Sequence, residues 1–161
     1  MSNSNKGKES EKKFHDAMTK LSANPLVSFY RKPDARSTIQ MTSNGPKGRM
    51  TKRPGDFFIF HNGTATLIEL KEVQHDYLIA TSRFTQVSKM VRFSMTKNKA
   101  GGIVYHTTSK LWSFLPIHYL SKNKENTSYN TDDFRKYGSL KELILMEVLL
   151  KQEDVLNGND G

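Results

Sequence analysis

Three charged side chains sit where a chain should be building a core. Asp56, Glu69 and Lys71 interrupt PGDFFIFHNGTATLIELKE (54–72), which is otherwise mostly apolar or neutral. Two carboxylates in a partly apolar setting must share a proton, pair with a cation or bind a metal. Lys71 could neutralise one of them. A hard divalent cation such as Mg²⁺ would use both, because it takes oxygen ligands. The plain structural alternative is a buried acid–lysine ion pair, although such pairs are weak sources of stability.

The turn decides whether these groups can meet. Asn62-Gly63 between strand-like residues is a strong hairpin signal, because a type I′ turn needs φ > 0 at both central positions. A two-residue loop pairs His61 with Thr64 and sets Asp56 directly opposite Glu69. Directly opposed residues share a face, with Cβ atoms roughly 4.5–5.5 Å apart. Lys71, two residues beyond Glu69, projects from that face too. Phe58 and Leu67 lie beside them, while Phe57, Ile59, Ile68 and Leu70 take the other face.

Other elements must hold this hairpin. Phe14, Ala17, Met18 and Leu21 predict a helix from about Glu9 to Leu21, broken by NPL at 24–26. VSFYR (27–31) reads as a strand. A second helix is expected from about Ser82 to Lys99, with Phe84, Val87, Met90, Val91 and Met95 as its apolar stripe and Gly101-Gly102 as its stop. GIVYHT (102–107) and LWSFLPI (111–117) read as strands around a turn at 108–110, and 121–130 as a polar loop. SLKELILMEVLLK (139–151) predicts an amphipathic helix. The expected order is α-β-β-β-α-β-β-α, an α/β mixed sheet flanked by helices.

Charge points to a partner. Residues 1–122 hold 20 Lys+Arg against 8 Asp+Glu, whereas 123–161 hold 5 against 8, within a net charge of +9. Basic charge concentrated this way suits a domain that meets phosphates; a merely soluble basic protein is the alternative. Residues 33–55 carry Arg36, Lys47, Arg49, Lys52 and Arg53 with Asp34 as the lone acid, and read as a basic, flexible arm or a simple surface loop. Further cations, Arg83, Lys89 and Arg92, lie on the second predicted helix. There is no cysteine, which rules out a disulfide scaffold and thiolate metal sites. No run approaches the ~20 apolar residues of a membrane span. The polar N-terminal residues lack a signal-peptide pattern, so a cytoplasmic protein is expected. Residues 1–7 and 152–161 are expected to be disordered, with one domain over 8–151 and the arm at about 34–53.

Asp-x12-Glu-x-Lys on a hairpin resembles the PD-(D/E)xK nuclease superfamily. The flanking residues resemble RecU-type Holliday junction resolvases, as a divergent or phage-like member, across about residues 7 to 120. GKESEKKF (7–14) is similar to that family's opening helix through Gly7, Glu11 and Phe14, and YRKPD (30–34) to the strand entering its basic stalk. FTQVSKMVRFSMTKNKAGGIVYH (84–106) and LWSFLPIHYL (111–120) are similar to the helix and strands that follow. The chain departs in having PGD for an adjacent Pro-Asp, a short arm and an added C-terminal helix.

The resemblance implies a restriction-endonuclease-like fold with a stalk between the first two strands. It implies a homodimer that cuts four-way DNA junctions with Mg²⁺, or Mn²⁺ in its place. Asp56, Glu69 and the Leu70 carbonyl would hold the metal, and Lys71 would orient the attacking water. Glu11 would complete the site, and Gln86 would position Lys71 or the phosphate. Arg31, Lys32, Arg36, Lys47, Arg49, Lys52, Arg53, Arg83, Lys89 and Arg92 would meet DNA. The competing readings are a homing or restriction-type enzyme of this fold and a non-catalytic DNA-binding module. His61, His75, His106 and His118 lack zinc spacing and read as ordinary surface or partly buried histidines, Trp112 reads as core, and no nucleophile–base pair is visible.

Overall fold

The computed structural model describes residues 8–31, 40–42, 45–47 and 56–150. Its centre is a five-stranded sheet in the order β1-β4-β5-β7-β8. These strands are β1 (Val27–Arg31), β4 (Phe57–His61), β5 (Thr64–Val73), β7 (Lys99–His106) and β8 (Leu111–Pro116). Neighbours run antiparallel except β5 and β7, which pair in parallel. The parallel pair needs a crossover, and helix α2 (Val87–Ser94) supplies it.

Alternation along the strands fixes two layers. Phe57, Ile59, Ile68, Leu70, Ile103, Tyr105 and Trp112 face helix α1 (Lys8–Leu21) and the C-terminal helix. Phe14 of α1 meets Phe57 with ring centroids 4.3 Å apart. The other face carries Leu67, Val104 and Leu115 against Val87 and Met90 of α2 and Leu120 of α3 (Ile117–Lys122). The expected mixed sheet flanked by helices is what forms.

Several boundaries differ from expectation. Asn62 and Gly63 do adopt φ of 48° and 71°, and the register pairs His61 with Thr64. The helix expected over 82–99 is much shorter. A 3₁₀ turn over Thr81–Arg83 ends at Phe84, whose φ of −97° and ψ of 83° leave the helical region, and α2 starts only at Val87. After Ser94 the chain turns through Lys97, at φ 64°, into β7. Met95 is therefore 79 % exposed, outside the apolar stripe.

Gly101-Gly102 is not a helix stop; both residues sit inside β7, opposite Ile68 and Glu69. A Cβ on Gly101 would strike the Phe114 ring, and one on Gly102 the Phe84 ring. These glycines make room for aromatic rings laid on the strand. The 121–130 loop contains β9 (Ser128–Asn130), which pairs with β6 (Leu78–Ala80). The C-terminal helix is α4 (Leu140–Leu143), continued by π-type turns over Ile144–Leu150.

Within the expected arm, β2 (Gln40–Thr42) pairs with β3 (Gly45–Lys47) as a two-stranded ribbon. Lys32, Arg36, Arg49, Lys52 and Arg53 lie outside the described residues, as do 1–7 and 151–161.

Candidate active site

The hairpin brings Asp56, Glu69 and Lys71 together. The Asp56 N–H donates to the Ile68 carbonyl at 2.7 Å. Its carboxylate Oδ2 accepts the Leu70 N–H at 2.7 Å, so backbone on β5 fixes the side chain. Glu69 is 2 % exposed, and Lys71 Nζ reaches its Oε1 at 2.9 Å. The ion pair allowed by the sequence therefore exists, but it uses one carboxylate oxygen. Glu69 Oε2 is buried with no hydrogen-bond partner.

Burial pushes the Glu69 carboxyl above its ordinary value of 4.5. The Lys71 charge and hydrogen bond oppose this, and the Asp56 carboxylate adds to it. Phe84 leaves the helical path and lays its ring over Gly102, the residue paired with Glu69. Lys71 Nζ lies 6.0 Å from the centre of the same ring. Phe84 was expected only as part of a helical stripe; instead its ring lies on Gly102, beside Lys71. The adjacent Gly-Gly was the signal, since a strand interior rarely gives up two side chains unless something approaches closely.

A cavity of about 700 Å³ opens beside Lys71, lined also by Ser10, Glu11, Leu70, Glu72 and Arg83. Glu11 thus shares a cavity with Lys71, but its Oε2 is held by Arg31 at 2.7 Å. Glu72, which sequence reasoning passed over, accepts the Ser10 N–H at 3.3 Å and so ties the first turn of α1 to β5. Its carbonyl accepts from Arg83 at 2.9 Å. Gln86 stands at the N-cap of α2 without a side-chain cap bond, and among the described residues no hydrogen bond joins it to Lys71. Lys89 and Arg92 are exposed on α2.

Among the described residues, no three His, Cys, Asp or Glu side chains converge on a metal position. The donor set is instead two carboxylates. Asp56 lies one residue before β4, outside the paired register, rather than directly opposite Glu69; the unpartnered buried oxygen on Glu69, with an Asp carboxylate fixed by the Leu70 N–H, suits an oxygen-loving divalent ion.

A second buried polar cluster was not foreseen. His106 is fully buried, with Nδ1 2.7 Å from the His75 carbonyl and Nε2 2.7 Å from Ser113 Oγ. Lys136 Nζ lies 3.3 Å from that Nε2, 3.1 Å from Ser113 Oγ and 2.6 Å from Thr131 Oγ1. Ser113 and His106 are a hydroxyl–imidazole pair, yet both are 0 % exposed and no substrate could reach them. Trp112 is core, as expected.

Among solved structures, the chain is similar to Hjc from Archaeoglobus fulgidus, a Holliday junction resolvase from an archaeal hyperthermophile. The identity is 14 %, the match covers 83 % of this chain and 98 % of that one, and the TM-score is 0.52. The two proteins share a fold. No family model matches the sequence, and no curated protein does. Among the described residues, no helix is long and apolar enough to cross a membrane.

Proposed function

We propose that this chain is a Mg²⁺-dependent, structure-selective DNA endonuclease that hydrolyses phosphodiesters at four-way junctions and works as a homodimer. One observation carries the reading. A buried Glu69 carboxylate, paired through one oxygen with a Lys71 that lines an open cavity, keeps its other oxygen unpartnered. A fold shared with a Holliday junction resolvase and a net charge of +9 support it.

Asp56, Glu69 and the Leu70 carbonyl would hold Mg²⁺, with Mn²⁺ as a substitute. When bound, the ion would polarise the scissile phosphate and lower the pKa of a coordinated water. The chain's own residues do the rest. The Leu70 N–H holds Asp56 Oδ2 in place. Lys71, released in part from Glu69, would orient the attacking water and offset charge developing on phosphorus. Phe84 would keep bulk water from Glu69 and strengthen each charge interaction in the site. Glu11 would meet the bound water once Arg31 turns toward a phosphate, and Gln86 would aid Lys71. Lys89 and Arg92 on α2 would contact the backbone, together with Lys32, Arg36, Lys47, Arg49, Lys52 and Arg53. Two symmetric cuts require two sites, hence two copies.

The test is cleavage of a four-way junction, a linear duplex and a single strand, each with Mg²⁺ or EDTA. We expect junction cutting in Mg²⁺ only, lost in Asp56→Ala with junction binding retained. Equal cutting of all three substrates would remove junction resolution. Tight binding with no cutting would leave a binding module.

A further inference from the structure

Phe58 and Phe60 of β4 lie two and four residues beyond Asp56 and project from the face that carries Leu67, the face of Glu69. On the neighbouring edge strand β1, Tyr30 pairs with Phe58. Phe58 is half buried, 5.6 Å from Phe93 of α2. It stacks on Phe60 at 6.0 Å with 25° between the planes. Phe60 is 43 % exposed and Tyr30 54 %. An aromatic row therefore runs outward from Asp56 and ends in two open rings. Beside it lies α2, whose Phe93 touches the row and whose Lys89 and Arg92 face solvent.

We propose that Tyr30 and Phe60 form a stacking platform for unpaired bases of a DNA strand whose backbone runs along α2 toward Asp56 and Glu69. This deepens the endonuclease reading and rests on it for the identity of the strand. Aromatic rings beside a basic track are the means by which proteins hold single strands without reading sequence. Tyr30 and Phe60 are diagonal neighbours on paired strands, about 7–8 Å apart, within the reach of successive nucleotides in an extended strand. A closed duplex keeps its bases stacked and offers these rings nothing. Bases freed at a branch, gap or fork can reach them. A second copy of the chain is a poorer occupant. Two half-open rings expose far less than the roughly 800 Å² per partner of a stable interface.

The probe is an oligothymidylate of about ten nucleotides, titrated in EDTA against Phe60→Trp protein, with a blunt duplex as the control. Trp112 is 3 % exposed, so quenching reports on position 60. We expect oligothymidylate, and not the duplex, to quench the emission. Tyr30→Ala and Phe60→Ala should each weaken binding to oligothymidylate and to a gapped duplex about tenfold. The ratio of gapped to blunt affinity should fall, Tyr30→Phe should restore it, and circular dichroism should show folded variants. Equal losses on gapped and blunt DNA, or no quenching, would overturn the proposal. A halved mass of Phe60→Ala in sedimentation would overturn it too, by assigning the rings to a contact between copies. The two readings fail separately. Quenching without Mg²⁺-dependent cutting removes the nuclease and keeps the platform; cutting without quenching does the reverse.

Discussion

Two buried lysine clusters occupy the same sheet face and are built to opposite ends. Around Lys136, the ammonium donates to Ser113 Oγ and Thr131 Oγ1, and the Ser113 hydroxyl donates to His106 Nε2. Around Lys71 the account does not close, because Glu69 Oε2 is buried without a partner. A buried polar group left unmade costs about 1–3 kcal/mol. A chain that satisfies one cluster fully and leaves the other open is sacrificing stability at one place. The finished cluster joins β7 and β8 to residues 131–136 and needs nothing more. The unfinished one is where the metal is proposed to bind.

The widest separation comes from one substitution in each cluster. Glu69→Gln should reduce junction cutting by at least about a thousandfold while making the metal-free protein about 1 kcal/mol more stable at neutral pH. Lys136→Met should do the converse. It strips a donor from the Ser113 and Thr131 hydroxyls and should cost about 2 kcal/mol, with cutting rates intact. Single-turnover cleavage and urea unfolding of both variants decide. A Lys136→Met protein that stops cutting, or a Glu69→Gln protein that loses stability, would erase the contrast.

The pH profiles should run in opposite directions. Burial raises the Glu69 carboxyl above 4.5. Without metal, its contribution to stability is therefore full below 4.5 and is lost as pH rises through the raised value. Mg²⁺ affinity, which needs the carboxylate, should grow over the same window, and calorimetric titration would read it. Burial, with the Lys136 charge as a lesser cause, lowers the His106 imidazole below 6.5. Its contribution is present above 6.5 and is lost as pH falls from there through the lower value. Burial also lowers the Lys136 ammonium from 10.5. In Lys136→Met the acid-side loss near His106 should shrink but persist, because burial is the larger cause. Melting temperatures between pH 4 and 8 in EDTA check both slopes.

Next in size is the Phe84 ring beside the open site. Gly102→Ala puts a methyl into the Phe84 ring and should cost about 1–3 kcal/mol as the ring shifts. If Phe84 holds water off Glu69, the displaced ring lowers the Glu69 pKa, and the Mg²⁺ affinity curve moves to lower pH. An unchanged curve would show that strand depth alone buries the carboxylate.

What could be read in the sequence follows the range of the interactions. The hairpin of the candidate site was legible because its geometry is local. Asn62-Gly63 sets the register, and period-two alternation then assigns each face. The sheet strands and α1 followed from the same patterning. The fate of 82–102 was not legible. Helical spacing from Phe84 to Met95 is real, but Phe84 is drawn onto Gly102 by tertiary contact, and Lys97 takes a left-handed turn. The His106 cluster gathers residues from 75, 113, 131 and 136, separations that no spacing rule covers. β6 and β9 are three-residue strands, too short for a period to show. Glu72 reads as one more charge after Lys71 until α1 arrives to use it.

The smallest expected effect tests the local step on which the open site depends. Gly63 has φ 71° and nothing within 4 Å of where a Cβ would stand, so Gly63→Ala meets backbone strain and no clash. The strain should be about 1–2 kcal/mol. If the Asn62-Gly63 turn only joins two strands, that loss is all that follows, and cutting is unchanged. If the turn holds the register, a fraction of molecules should re-pair by one residue. Such a slip sends Asp56 to the far face while Glu69 keeps its place. Mg²⁺ would then raise the melting temperature less in Gly63→Ala than in the parent, even at equal metal-free stability. The Lys136 cluster should be indifferent, because none of its members lies on β4. A loss of Mg²⁺ stabilisation together with an unchanged acid-side slope from His106 would place the defect in the hairpin alone.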